Sequence, residues 1–323
     1  MFRIRIAAIV CGTLLLPAIA AAQSDNYPTK SLRLVTPFPP GGSVDVIARL
    51  IAPKLSESLG KPVVVDNRTG ASGNIGTELT ARSPADGYTL LINTLPLVTN
   101  IFIMSRVPYD LQNDFEPVCL LSSSSAILGV HPSLPVRNTK ELLELARSKR
   151  GTLNYGTAGI GTNPHIAGEL FNYLGKTNIV AVHYKGGGPS LIAAISGEVT
   201  VTFANTPETM PYVDAKRLRG LAISSLKRRA NLPELPTVSE SGVPGYEFLT
   251  WHVIMAPKGT PRPVVTLLNE RLRKILNTPE QNQQLLQKGI DVIGASPEET
   301  AAHLKREMEK WSRVVKERGI RAE

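Results

Sequence analysis

The chain has 323 residues and a formal net charge of +9, and aromatic side chains make up only 5% of it. A basic protein can bind nucleic acid, a membrane surface or an acidic ligand. So few aromatic residues argue against a stacking platform for nucleic acid or sugar. The densest basic run, residues 305–321, is interleaved with glutamates on a helical pattern, which is typical of a solvated helix face. We therefore expect no nucleic-acid partner.

The first 22 residues have the pattern of a secretory signal peptide. Arg3 and Arg5 precede an apolar core over residues 6–19, and three alanines ending at Ala22 follow it. This pattern predicts cleavage after Ala22 and a periplasmic product, since the core is shorter than the roughly 20 residues of a membrane span. Only Cys119 would remain after cleavage, which excludes an intramolecular disulfide.

From Leu32 onward, short apolar runs alternate with helical patterns and glycine-containing turns, which is typical of βαβ units and parallel sheets. The sequence therefore predicts an α/β protein, and about 300 residues favour two lobes. The predicted strands are Leu32–Phe38, Pro62–Asp66, Tyr88–Thr94, Phe115–Val130, Leu153–Thr157, Ile179–Tyr184, Val199–Phe203, Leu218–Ser224, Trp251–Ala256 and Asp291–Ile293. The clearer predicted helices are Leu142–Arg150, one that ends at Gly175, Val264–Leu276 and Glu298–Arg318.

One predicted strand, Phe115–Val130, is too long for a single buried strand, and Ser122–Ser125 interrupt its apolar pattern. We interpret it as a strand that leaves one sheet and enters another, with the serines at the crossing. A second crossing is predicted at Trp251–Ala256. Residues 23–122 and 252–323 would then form one lobe and residues 123–251 the other, with the ligand cleft between them.

The turn Pro39–Ser43 follows the first strand and leads into a helix whose start Ser43 or Asp45 can cap. The prolines cannot continue the strand, and the glycines permit close approach of a ligand or a positive φ. Unpaired N–H groups and a positive helix end suit a carboxylate or phosphate. An ordinary strand-to-helix turn without a ligand explains the same residues.

Three further glycine-containing turns precede helices, at residues 69–74, 155–162 and 184–190. Several helix N-termini that converge on one cleft can hold an anion without arginine or lysine. Together the four turns therefore predict an anion-binding cleft.

Motifs of catalysis and cofactor binding are incomplete in this sequence. Pro164 stands where a dinucleotide fingerprint beginning at Gly159 would need its third glycine, and no Gly-Lys-Ser/Thr phosphate loop or Gly-x-Ser-x-Gly elbow is present. The five histidines lack the close spacing of a metal site. We expect neither an enzyme nor a bound cofactor or metal.

Five motifs, at residues 37–91, 153–171, 183–199, 235–247 and 256–265, resemble the receptor family of tripartite tricarboxylate transporters, the TctC-like or Bug solute-binding proteins. The resemblance covers nearly the whole chain after residue 22. It implies a type-2 periplasmic binding protein fold, in which two α/β lobes joined by two crossing strands close on a small carboxylated ligand.

The resemblance also implies a set of ligand-binding residues. From the first lobe these are Phe38, Pro40, Gly41, Gly42 and Ser43, with Asn93 and Thr94 as further candidates at a strand end. From the second lobe they are Thr157, Ala158, Gly159, Thr162, His165, Lys185, Gly186, Gly187, Ala204 and Asn205. A capping or packing role explains His165 equally well.

Ala204 and Asn205 follow a strand after which the family usually has aspartate. An acidic group near the cleft would help to select ligands with an amino or hydroxyl group. We expect this cleft to lack one, which argues against an amino acid ligand.

The function implied by the resemblance is a monomeric, non-enzymatic receptor. It would capture a small carboxylate, such as a dicarboxylate or tricarboxylate, and present it to membrane transporter subunits. A sensory protein that signals to a membrane kinase would use the same capture chemistry and stays open. An enzyme would need a titratable pair in the cleft, which the motifs do not supply.

Overall fold

Two β-sheets with helices packed on them organise residues 26–318, the part of the chain that the computed structural model describes. The predicted signal peptide, residues 1–22, lies outside this range. Within it, no helix is both long enough and apolar enough to cross a bilayer.

The strands alternate with helices along most of the chain, as predicted. The strands are β1 Leu32–Thr36, β2 Val63–Asn67, β3 Thr89–Asn93, β4 Phe115–Ser125, β5 Ile127–Val130, β6 Asn154–Thr157, β7 Val180–His183, β8 Val201–Thr202, β9 Arg219–Ile223, β10 Leu249–Pro257 and β11 Ile290–Val292. The helices are α1 Ser43–Leu59, α2 Asn74–Ala81, α3 Pro96–Ile103, α4 Thr139–Ser148, α5 Asn163–Gly175, α6 Gly187–Ser196, α7 Thr206–Asp214, α8 Arg262–Leu276, α9 Pro279–Gln287 and α10 Pro297–Arg318. Each predicted strand overlaps an observed one.

The first lobe is built on a six-stranded sheet in the order β11-β4-β10-β3-β1-β2. Its β1 is parallel to β2 and β3, whereas β10 is antiparallel to β3 and β4. Helix α1 buries Ile47, Ile51 and Leu55 against this sheet because they recur at helical spacing on one face.

The second lobe is built on a five-stranded sheet in the order β7-β6-β8-β5-β9. Here β6 is parallel to β7 and β8, and β5 is antiparallel to β8 and β9. Phe203 packs between Tyr155 and Phe171, with ring centroids 5.4 and 5.3 Å apart. In both lobes the parallel strands lead into helices whose N-termini point to one edge of the sheet.

The chain changes sheet at Ala126, between β4 and β5, which confirms the predicted crossing but places it one residue after Ser122–Ser125. These serines belong to β4 and pair in register with Leu249 to His252 of β10. Their hydroxyl groups do not prevent pairing because the ladder uses backbone groups alone. Strand β10 begins two residues before the predicted second crossing, and the lobe boundaries at 122/123 and 251/252 stay predictions.

Candidate functional site

Helix N-termini from both lobes meet at one cavity, which we call the inner cavity. The first residues of four helices line it, namely Ser43 of α1, Pro96 of α3, Asn163 of α5 and Gly187 of α6, together with Asn205, the N-cap of α7. The first N–H groups of a helix have no partner within it, and the helix dipole places partial positive charge there. The arrangement therefore favours an anion.

The remaining walls of the inner cavity are mainly small or apolar. The complete lining is Phe38, Gly42, Ser43, Val44, Thr94, Pro96, Ala158, Thr162, Asn163, Pro164, Gly187, Ser190, Ala204, Asn205 and Glu208. About 40 Å³ is open to the centres of water-sized molecules. Roughly 10 to 15 Å³ of such space admits one water molecule, so the cavity has room for a group the size of a carboxylate.

A second, outer cavity of about 410 Å³ adjoins the first, since Phe38 and Ala158 line both. It contains the turn at residues 69–73 and the predicted site residues Gly159, Lys185 and Gly186. Lys185 thus lies in the outer cavity and not among the groups that line the inner one.

The turn before α1 is held by a buried carboxylate. The Gly41 N–H donates to Asp45 Oδ2 at 3.1 Å, Arg49 Nε donates to the same oxygen at 2.9 Å, and Asn67 Nδ2 donates to Oδ1 at 3.0 Å. Burial alone would raise the pKa of Asp45, but these hydrogen bonds together hold it below its ordinary value. The N-cap residue is Gly42, so the prediction that Ser43 or Asp45 caps α1 is wrong. Asp45 instead holds the turn in place by accepting the hydrogen bond from the Gly41 N–H.

The glycine-containing loop before α5 is held by two histidines. Thr157 Oγ1 and His183 Nδ1 are 2.7 Å apart, and the Gly161 N–H donates to His165 Nδ1 at 3.0 Å. Burial and the neighbouring His183 lower the pKa of His165 to about 4, so its ring is neutral and Nδ1 can accept. Thr157 and His165 lie behind the loop and line neither cavity.

The predicted site residues thus separate into three groups. Nine line the inner cavity: Phe38, Gly42, Ser43, Thr94, Ala158, Thr162, Gly187, Ala204 and Asn205. Gly159, Lys185 and Gly186 line the outer one. Pro40, Gly41, Asn93, Thr157 and His165 line neither. Asn93 lies inside the first lobe, where its Nδ2 donates to Thr77 Oγ1 at 3.0 Å.

The two lobes touch across the cleft. Asn205 Nδ2 donates to Ser43 Oγ at 3.0 Å, and Thr99 Oγ1 donates to the Gly161 carbonyl at 2.9 Å. Close approach depends on Gly186, which has a φ of +121° and where an added Cβ would lie 2.6 Å from Pro39 Cγ. The described arrangement is therefore a closed one.

Glu208 corrects the expectation that the cleft lacks an acidic group. It lines the inner cavity and is buried, and burial raises its pKa to about 7, although hydrogen bonds from Asn205 and the Ser43 backbone oppose the rise. Sequence reasoning considered only the residues next to the strand, whereas Glu208 lies within the first turn of α7. The spacing Asn205-x-x-Glu208 is that of a capping box and could have drawn attention to it. Asn163 and Ser190 were also missed.

Two α/β lobes with a cleft lined by helix N-termini define the class of bilobed periplasmic binding proteins. Residues 47–320 match the model of the tripartite tricarboxylate transporter family receptor, TctC, and the chain belongs to this family. The family consists of solute-binding receptors and not of enzymes.

Relatives match over nearly the whole chain. A protein encoded in the tcbD-tcbE intergenic region of Pseudomonas sp. (strain P51) is 40% identical over 94% of this chain and 90% of its own. The R. palustris protein Rpa4515, solved with adipate, is 39% identical with a TM-score of 0.90, covering 92% of this chain and 99% of its own. MatC (Rpa3494) from Rhodopseudomonas palustris, solved with malate, is 28% identical with a TM-score of 0.85, and the match covers 90% of this chain and 100% of its own.

Proposed function

We propose that this protein captures a small carboxylate, such as a dicarboxylate or tricarboxylate, in the cleft between its lobes. The observation that carries the proposal is the meeting of helix N-termini from both lobes at a cavity without a lysine or arginine in its lining. Backbone N–H groups and helix dipoles bind anions in such places. Two related proteins were solved with the dicarboxylates adipate and malate, which supports the same ligand class.

A thermal-shift screen tests the ligand class. Protein that has been unfolded, freed of small molecules and refolded is mixed with adipate, malate, citrate or acetate. A ligand present at about 100 times its Kd stabilises the folded state by about 2.7 kcal/mol, which raises the Tm. We expect a rise with at least one acid, and no rise with any of them at millimolar concentration would contradict the proposal.

The variant Gly42→Ala shows whether the shift arises in the inner cavity. Gly42 has an ordinary φ of −81°, and an added Cβ would lie 3.8 Å from the Pro39 carbonyl and 4.0 Å from Glu208 Oε2. The methyl group therefore fits the folded protein but occupies ligand space. We expect the Tm without ligand to stay close to that of the wild type and the ligand-induced shift to shrink.

We further propose that the protein works in the periplasm and delivers its ligand to the membrane subunits of a tripartite tricarboxylate-type transporter. N-terminal sequencing of the exported protein should begin at Gln23. Deletion of its gene should abolish uptake of the radiolabelled acid that raises the Tm. Normal uptake in the deletion strain would instead favour the alternative role, signalling to a membrane kinase.

A further inference from the structure

Glu208 is the one ionisable side chain among the residues that line the inner cavity. Its two carboxyl oxygens have different surroundings. Oε1 accepts from the Asn205 backbone N–H at 3.1 Å and from Asn205 Nδ2 at 3.3 Å. Oε2 is buried and makes no hydrogen bond of ordinary length and angle in the described part of the chain, although the Ser43 backbone N–H is close enough to the carboxyl group to lower its pKa slightly. Because a buried polar atom without a partner is costly, Oε2 needs an explanation.

The position of Oε2 points to a ligand. An added Cβ on Gly187 would lie 3.0 Å from Oε2, and one on Gly42 would lie 4.0 Å from it. Oε2 therefore lies at the seam where the first residue of α6 meets the N-cap of α1. A ligand atom held by these two helix N-termini would lie within reach of Oε2.

Charged groups on the neighbouring elements are engaged elsewhere. On α1, Asp45 and Arg49 pair with each other behind the turn. On β4, Glu116 pairs with Lys258 and Cys119 is buried in the sheet core. Helix α6 carries no titratable side chain over residues 187–196.

The same holds for the remaining elements near the cleft. On α5, His165 accepts from the Gly161 N–H and Glu169 accepts from the Tyr155 hydroxyl at 2.8 Å. Asp214 and Lys288 line a separate pocket on the far side of α7. Lys185 lines the outer cavity and not the inner one. No cation of the described residues lowers the pKa of Glu208, so an ionised carboxylate in this position would be buried without a counter-charge.

We propose that Glu208 determines which ligand is bound by donating a hydrogen bond from its protonated Oε2 to a carboxylate oxygen of the ligand. Where Glu208 is ionised in the ligand-free protein, the proton is taken from solvent, so that ligand binding is accompanied by the uptake of up to one proton per ligand molecule. This inference rests on the proposed carboxylate-binding function. It assigns to Glu208 the recognition of a carboxylate, whereas an ionised Glu208 would select a ligand with an ammonium group.

The pH dependence of binding follows from the two states of Glu208. Its pKa in the ligand-free protein is raised to about 7 by burial, and a bound carboxylate raises it further because like charges repel. The bound state therefore holds more protons than the free state, and affinity rises as the pH falls. Between about pH 8.5 and 6.5, where adipate and malate stay ionised, we expect roughly a twentyfold gain in affinity.

Isothermal titration calorimetry with adipate and malate tests this inference across that pH range. The wild type should bind more tightly at the lower pH, and titrations in buffers of different ionisation enthalpy should show uptake of up to one proton at about pH 8. Glu208→Gln, which keeps a donor of the same shape, should bind with an affinity that does not change with pH. If the variant fails to fold, the wild type still tests the inference, because the absence of proton uptake at about pH 8 would contradict it.

Two results would overturn the inference in distinguishable ways. If adipate or malate binds with the same affinity at about pH 8.5 and 6.5, Glu208 does not donate a proton to the ligand, but the carboxylate-binding function is not contradicted. Tight binding of aspartate that strengthens with rising pH and is lost in Glu208→Gln would assign Glu208 to an ammonium group. Absence of binding to every carboxylate at every pH would overturn the proposed function and this inference with it.

Discussion

Asn205 of the second lobe donates a hydrogen bond to Ser43 of the first, and the Nδ2 to Oγ distance is 3.0 Å. Both residues stand at helix starts that line the inner cavity. The bond can form only when the lobes are closed. The groups that we expect to surround the ligand are thus also groups that hold the two lobes together.

Loss of this hydrogen bond should weaken ligand binding. We expect Ser43→Ala and Asn205→Ala each to raise the Kd roughly two- to tenfold, since a hydrogen bond contributes about 0.5–1.5 kcal/mol. The double variant should be less impaired than the two single effects combined, because both remove the same interaction. Calorimetry on the four proteins measures the coupling. Fully additive effects would show that the bond does not stabilise the closed, bound state.

Gly186→Ala should block closure without preventing folding. The added Cβ would lie 2.6 Å from Pro39 Cγ on the opposite lobe, so the lobes could not meet as described. We expect ligand binding to fall by at least about tenfold, and small-angle scattering should show that added ligand no longer compacts the protein.

Gly242→Ala is the matched control for this variant. Gly242 has a φ of +118°, close to the +121° of Gly186, but its nearest neighbours are Leu143 and Lys140 within the second lobe. The backbone strain, of order 1–3 kcal/mol, should therefore be similar in both variants. Equal loss of binding in the two would indicate that strain, and not blocked closure, explains the effect of Gly186→Ala.

The neutral His165 should make the protein sensitive to acid. Its folded-state pKa of about 4 lies below the unfolded value of about 6.5, so its contribution to stability is present above pH 6.5 and is lost as the pH falls toward 4. At about 1.4 kcal/mol per pKa unit, this difference corresponds to a loss of about 3 kcal/mol for this residue. In His165→Asn, Oδ1 can still accept from the Gly161 N–H but does not titrate. Urea unfolding at several pH values should show a smaller decline for the variant, and an unchanged decline would contradict this role.

The α/β alternation and the glycine-containing turns could be predicted because their signals are local. Asn138 followed three residues later by Glu141, for example, is the local pattern of a helix start just before the predicted helix Leu142–Arg150, and Asn138 Oδ1 does accept from the Glu141 N–H at 2.9 Å. The turn before α1 was predicted from its prolines and glycines alone, and it does lead into a helix at the cleft.

Features that depend on distant contacts could not be predicted in this way. The serines of β4 look like a break in the apolar pattern, yet they are accommodated in the sheet because β10 pairs with their backbone. Whether Glu208 faces solvent or the cavity depends on how α7 is oriented against α1, which no local pattern fixes. His165 and Thr157 have ligand-binding residue types, but tertiary packing turns them toward the loop backbone and His183.

A crystal structure of the protein with adipate or malate, whichever gives the larger thermal shift, tests carboxylate capture most directly. We expect one carboxylate of the ligand in the inner cavity, within hydrogen-bond distance of the backbone N–H groups at the starts of α1 and α6, with an oxygen near Glu208 Oε2. A ligand bound outside the cleft, or a carboxylate held by lysine or arginine, would contradict capture by helix N-termini.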